Sequence, residues 1–201
     1  MKKEFLFFAF AALSLFAISC GGDDDDNGGS GGGSTNTGKD YTQTENFELV
    51  DMGTRVKWAT MNLGAGASYE YGELYQWSNI TVTIGQAGTQ YAFCRPPSHD
   101  EWVELINICG QQGGFAKWGS VKNISGLLLK SSKTGNIIFL PAAGRQDPYG
   151  VYDNGKKGYY WASSSYNSEQ AYNLKFQQGA IAPGDISSII LGQSVRVVSD
   201  K

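Results

Sequence analysis

Hydrophobic and polar positions divide the chain into three zones. From Phe5 to Ile18 every residue except Ser14 is apolar. This run follows the basic start Lys2-Lys3 and falls short of the ~20 helical residues a bilayer core requires. It reads as a secretory signal over residues 1–19. The pattern then turns polar, with Cys20, two glycines, Asp23 to Asp26, and a Gly/Ser/Asn-rich spacer to residue 40. Such a spacer is a flexible tether, and ~15 residues of it reach on the order of 20 Å. From Tyr41 to Lys201, short apolar segments alternate with turn residues over one domain's length.

Within this last zone a single stretch has helical period. In "PPSHDEWVELINICG", Trp102, Leu105, Ile106 and Cys109 recur at i, i+3, i+4 and i+7. Pro96-Pro97 blocks helix upstream, Ser98 and Glu101 stand at capping-box spacing, and Gly110 is a stop. The spacing predicts a helix over about 98–109. Nearly everything else has the period of strands. "NFELV" and "RVKWATMNL" flank Met52-Gly53-Thr54 as a hairpin, and "GLLLKS" and "NIIFLPAAG" flank "SKTG". "YYWASSS", "AYNLKFQ" and "QSVRVV" follow, and in the second Tyr172, Leu174 and Phe176 alternate with polar residues. Asn154-Gly155 is a tight-turn signal. The predicted class is α+β with antiparallel sheet dominant.

Charge adds to this picture chiefly by what it removes. Of the 16 Lys and Arg and 19 Asp and Glu, Lys2, Lys3, Glu4 and the four aspartates precede Asn27, leaving the remainder formally balanced. No basic cluster occurs, which argues against a nucleic-acid partner. Cys94 and Cys109 bracket the predicted helix. A disulfide between them is open to an exported protein, but that separation exceeds the ~7 Å a bridge tolerates, which favours two small buried side chains.

Two resemblances carry more. Ala17-Ile18-Ser19-Cys20 resembles the lipobox of bacterial lipoproteins, with Ala17 where leucine is usual. It implies cleavage before Cys20 and lipidation of that residue. The acidic run after it resembles the surface-export signal of Bacteroidetes-type lipoproteins. "VDMGTRVKWATMNLGA", "YGELYQWSN", "CRPPSHDEWVELIN", "IIFLPAAGR", "GYYWASSS" and "GQSVRVV" occur in that order. As a set they resemble the Fibrobacter succinogenes major paralogous domain family, with Cys94-Arg95-Pro96-Pro97 where that family often has Trp-Arg-Met-Pro. The resemblance covers nearly all of Val50 to Val198. It implies a C-type-lectin-like fold whose first and last strands pair. The lectin calcium motifs are absent, and Trp161-Ala162-Ser163 stands near where one would fall, without a carboxylate.

Candidate chemistry is sparse. His99 is the only histidine, and its place beside Ser98 and Asp100 is explained by the helix start. One histidine and two non-lipidated cysteines do not make a common zinc site. No cofactor, metal or catalytic constellation is expected. Glu70 and Glu73, flanked by Tyr69, Tyr71, Tyr75 and Trp77, are the most suggestive carboxylates for polysaccharide cleavage, but a half-exposed strand with aromatic packing and solvated acids is the preferred reading. The tyrosine-rich segment "GRQDPYGVYDNGKKGYYW" is the better ligand-binding candidate, through Arg145, Asp147, Tyr149, Tyr152, Asp153 and Asn154. The expectation is therefore a lipid-anchored outer-membrane module facing the cell exterior. It would bind a glycan or another surface protein without catalysis. The rivals are a polysaccharide-acting enzyme and a structural component of a surface assembly.

Overall fold

The computed structural model describes residues Gly38–Lys201. The signal-type run, Cys20 and the acidic run lie outside the described residues. The first hairpin joins β1 (Leu49–Asp51) to β2 (Val56–Ala59), with Val50 opposite Trp58. Its turn falls where the sequence places it, and Asp51 Oδ1 accepts from the Gly53 N–H at 2.7 Å.

An irregular stretch leads to β3 (Tyr75–Gln76), a 3-10 turn at Trp77–Asn79 and α1 (Ile80–Gln86). The helical period gave no sign of α1. Its Thr-Val-Thr centre is a weak helix former and no side chain caps its start. It persists because Ile80 and Ile84, one turn apart, are buried against the core.

The expected helix is α2 (His99–Cys109). Ser98 Oγ accepts from the Glu101 N–H at 3.2 Å, and Glu101 Oε2 accepts from the Ser98 N–H at 2.7 Å, so both halves of the capping box form. Trp102, Leu105, Ile108 and Cys109 are buried, with Ile106 at the margin. Cys94 and Cys109 are separate thiols, and burial pushes the Cys109 thiol up to about 12.

A meander follows, of β4 (Phe115–Val121), β5 (Ile124–Lys130) and β6 (Ile137–Pro141). The β5–β6 hairpin is the predicted one. Strand β4 went unread because Gly119, Lys117 and Ser120 blur its alternation. Lys122 and Asn123, both at positive φ (50° and 66°), make the tight turn that folds it onto β5.

A small hairpin of β7 (Arg145–Asp147) and β8 (Gly150–Tyr152) precedes the longest strands, β9 (Lys157–Ser165), β10 (Gln170–Gln177) and β11 (Ala180–Ser188). β12 (Gly192–Gln193) and β13 (Val198–Asp200) end the chain.

Among the described residues the strands form four small sheets, ordered β1-β2-β13, β4-β5-β6, β3-β12-β7-β8 and β11-β10-β9. All these strand pairs are antiparallel. The last strand closes on the first hairpin, with Val198 opposite Trp58, so the two ends of the fold meet. Its partner is β2; β1 lies on the other side of β2.

Between the sheets and α2, Trp58 packs on Trp102 (centroids 4.7 Å apart) and Tyr160 stacks on Phe176 (5.7 Å). Each such side chain contributes roughly 1.5–3 kcal/mol by leaving water. A second cluster, with Leu63, Trp161, Val195 and Val197, receives α1.

Among the described residues one fully buried side chain is a cation. Arg196 donates from Nε to Asn62 Oδ1 (3.0 Å), from Nη1 to the Ala59 carbonyl (2.9 Å) and from Nη2 to the Phe139 carbonyl (2.8 Å). None of these acceptors is a carboxylate. Burial lowers its pKa to about 10, which still leaves it charged at neutral pH.

Candidate functional site

The segment 71–74 folds back along Leu63. The Glu73 N–H donates to the Leu63 carbonyl (3.2 Å), and Asn62 Nδ2 donates to the Tyr71 carbonyl (2.8 Å). Gly72 makes the fold possible. Its φ is +68°, and a Cβ there would lie 2.5 Å from the Leu63 carbonyl oxygen.

Facing this segment is the β7–β8 hairpin. Gln146 lies opposite both Val151 on β8 and Gly192 on β12. At Gly192, a Cβ would sit 3.1 Å from the Gln146 Cβ and 3.4 Å from that of Leu74, so a bare backbone lets the two walls approach. Between them runs a cleft of about 410 Å³, lined by Tyr71, Glu73, Leu74, Gln146, Val151 and Asn154 together with Gly72 and Ala143. That is the size of a small-ligand site.

The cleft mixes an aromatic ring, two primary amides, one carboxylate and two aliphatic side chains. Asn154 Nδ2 donates to the Ala143 carbonyl at 3.3 Å, which fixes the amide against the wall. Glu73 Oε2 accepts from the Tyr75 hydroxyl at 3.0 Å. Burial and then this carboxylate raise the Tyr75 hydroxyl well above the ordinary tyrosine range, so it stays a donor. Glu70 does not line the cleft. Its Oε2 accepts from the Gly66 N–H at 2.8 Å and closes a local turn. The two carboxylates that looked paired in sequence thus serve separate loops.

The six residues expected to bind ligand are divided by strand alternation. Asn154 lines the cleft. Tyr149 stands at the hairpin tip, 90% exposed, above a turn in which Asp147 Oδ1 accepts from its N–H at 2.8 Å. Tyr152 is half-exposed on β8, opposite Arg145 and out of phase with the cleft-lining pair Gln146 and Val151.

Arg145 and Asp153 belong to another group. The Arg145 guanidinium lies over the Tyr159 ring (5.4 Å), and the Tyr159 hydroxyl donates to Asp153 Oδ2 at 3.0 Å. Lys157 Nζ donates to the same oxygen at 3.3 Å. Burial works to raise the Asp153 carboxyl, but the hydrogen bonds from Tyr159 and Lys157 and the field of Lys157 and Arg145 outweigh it and hold it below its usual value. Burial and Asp153 push the Tyr159 hydroxyl up to about 12. These charges answer one another within the fold.

Leu74, Gln146 and Val151 are cleft side chains that sequence reasoning passed over, and Tyr71 was noted only as a flanking aromatic. The available signal was Asp147-Pro148-Tyr149-Gly150. Read as a hairpin turn, it pairs Gln146 with Val151 on one face and Arg145 with Tyr152 on the other. His99 opens α2. Its ring stacks on Tyr172 (4.5 Å), Nδ1 lies 3.2 Å from Asp100 Oδ1, and its backbone N–H donates to Ser164 Oγ at 3.1 Å. Among the described residues, no three His, Cys, Asp or Glu side chains gather closely enough to hold a metal ion. Comparison with known protein families, curated proteins and solved structures finds no match to this chain.

Proposed function

We propose that this protein is a lipid-anchored surface module that binds a glycan through the cleft between Tyr71–Leu74 and the β7–β8 hairpin. It performs no catalysis of its own. The reading takes the anchor to be Cys20 and the domain to be of the Fibrobacter succinogenes major paralogous type, with a C-type-lectin-like fold. The carrying observation is the composition of the cleft. A tyrosine ring offers a flat apolar face to a pyranose, while Gln146, Asn154 and Glu73 offer donors and acceptors to its hydroxyls. Tyr149, at the tip above, extends the surface at low entropy cost.

A glycan array probed with the exported chain, followed by calorimetry on any hit, tests this. Tyr71→Ala and Gln146→Ala should each weaken binding by roughly tenfold or more, about 1.4 kcal/mol. Tyr149→Ala should weaken it less and leave the unfolding midpoint unchanged, since its side chain is almost wholly in solvent. A glycan bound equally well by the Tyr71 and Gln146 variants would remove the cleft from the reading. Silence on the array, with capture of a surface protein that the same variants abolish, would turn the ligand from sugar to protein. Cys20→Ala should release the protein from membranes; continued sedimentation would remove the anchor. Glycoside cleavage needs two carboxyl groups about one sugar, and this cleft offers Glu73 alone, which favours binding over hydrolysis.

A further inference from the structure

The cleft between Tyr71–Leu74 and the β7–β8 hairpin is lopsided in what it offers a ligand. Glu73 is its single charged lining side chain. Glu73 Oε2 accepts from the Tyr75 hydroxyl, and Oε1 has no partner among the described residues. Asn154 turns its nitrogen to the Ala143 carbonyl, which leaves Oδ1 free. The Gln146 amide is unpartnered among the described residues and adds another carbonyl oxygen. Three open acceptors, one of them a carboxylate, thus line one hollow. The principal donors facing them are the Gln146 nitrogen and the Tyr71 hydroxyl.

The cations nearest in sequence do not offset this charge. Arg145, Lys156 and Lys157 are not lining residues. Strand alternation puts Arg145 on the other face of the hairpin, over the Tyr159 ring, and Lys157 donates to Asp153. A uronate or a sulfate in the cleft would meet Glu73 with no cation to answer it. A protonated amine is the complementary group. It carries three donors and no acceptor, and a cation also gains from the face of an aromatic ring such as that of Tyr71.

We propose that this cleft selects a glycan bearing a free, protonated amine, a hexosamine without its N-acetyl group, with Glu73 Oε1 accepting from the ammonium. The proposal rests on the reading of the cleft as a glycan site and names the class of sugar it takes. Acetylation would remove the charge and two of the three donors. It would also bring a carbonyl into a site already rich in acceptors. A calcium ion is the poorer occupant, since it takes roughly 6–8 oxygens and this hollow supplies a single carboxylate.

The test is calorimetry on the full chain with trisaccharides of glucosamine, N-acetylglucosamine and glucose in one linkage, at a pH where the amine is protonated. The aminated sugar should bind roughly tenfold more tightly than the other two. Glu73→Gln keeps an acceptor for Tyr75 but removes the charge, and should bring the aminated and glucose sugars within about twofold of each other. Gln146→Glu adds a second carboxylate and should widen the preference. The Asp23–Asp26 run also attracts amines. A preference that neither variant moves would place it there and overturn the proposal. Displacement by N-acetyl-lysine amide as effective as by the aminated sugar would overturn it too, by showing a site for any ammonium. Equal binding of the three sugars, lost in Tyr71→Ala, would overturn the amine preference and leave the cleft as a glycan site. Binding of none would remove both.

Discussion

At the entrance to α2, the Arg95 guanidinium donates to both oxygens of Glu101 (2.9 and 2.7 Å) and to Asp200 on β13 (2.7 Å). Near the other end of β13, Arg196 is wholly buried and rests on Asn62 and two backbone carbonyls. The first arginine is part-exposed and paired with acids. The second has left water altogether and is held by neutral oxygens. The difference decides how each region responds to its surroundings. Ionic pairs near solvent stabilise modestly and titrate with their acids. A buried cation on carbonyls titrates with nothing below its own pKa, and its loss strands its acceptors. The cleft is built on the second kind of support, because Asn62 also donates to the Tyr71 carbonyl in the cleft wall and to the Tyr160 hydroxyl at 3.0 Å.

The largest expected effect follows from removing the buried cation. Arg196→Met keeps most of the side chain's length but leaves the Ala59 and Phe139 carbonyls and Asn62 Oδ1 without their donors. With about 1–3 kcal/mol for each stranded group, a loss of about 3–5 kcal/mol is expected, read from urea unfolding. It should stay constant from neutral pH to about pH 4, because Arg196 is protonated throughout that range whether folded or unfolded. A loss under about 1 kcal/mol would equate the two arginines and break the contrast.

Next in size is Asn62→Ala, which deletes the link between Arg196 and the cleft. It removes one acceptor and the donors to Tyr71 and Tyr160, for about 2–3 kcal/mol. Hydrogen exchange should quicken at residues 71–74, where the backbone leans on Asn62 and Leu63. The Arg196→Met/Asn62→Ala double variant should lose less than the sum of the two, since they share a hydrogen bond. Strict additivity would mean that the buried cation and the cleft wall are independent.

These two residues also show where the sequence stops being informative. α2 is legible because Ser98, Glu101 and the apolar stripe act within one segment, and the β1–β2 and β5–β6 hairpins announce themselves through their turns. Arg196 sits in "QSVRVV", where alternation puts every second side chain toward solvent. Instead Val195 to Val198 are all buried, because elements distant in sequence cover both faces. Nothing near position 196 records that Phe139 and Asn62 will meet it. The cleft is hidden for a related reason. The tyrosine-rich loop was visible, but the binding set chosen from it mixed both faces of a hairpin whose register depends on the Pro148-Tyr149 turn. Its opposite wall comes from Tyr71–Leu74, and only the folded sheet brings that wall near. α1 follows the same rule, being held by tertiary burial of Ile80 and Ile84 rather than by caps.

The smallest effect, and the sharpest contrast, lies at the α2 entrance. Burial would raise the Glu101 carboxyl, but hydrogen bonds from Arg95 and the Ser98 N–H, with the Arg95 charge, outweigh it and hold it below its ordinary value near 4.5. A depressed folded pKa means that the unfolded chain binds the proton more readily. The stabilisation is therefore complete above that ordinary value and is lost as pH falls through the folded one. Glu101→Gln should cost about 1–2 kcal/mol at neutral pH, through the lost charge-assisted bonds and a weakened capping box. The gap should then close as pH falls below about 4.5 and the wild-type carboxylate protonates. Urea midpoints of both proteins across that range measure it. Convergence for Glu101→Gln beside a constant gap for Arg196→Met would establish that one arginine region senses acid and the other does not. A gap that persists at low pH would show that Glu101 stabilises by shape alone, leaving no electrostatic difference between the two regions.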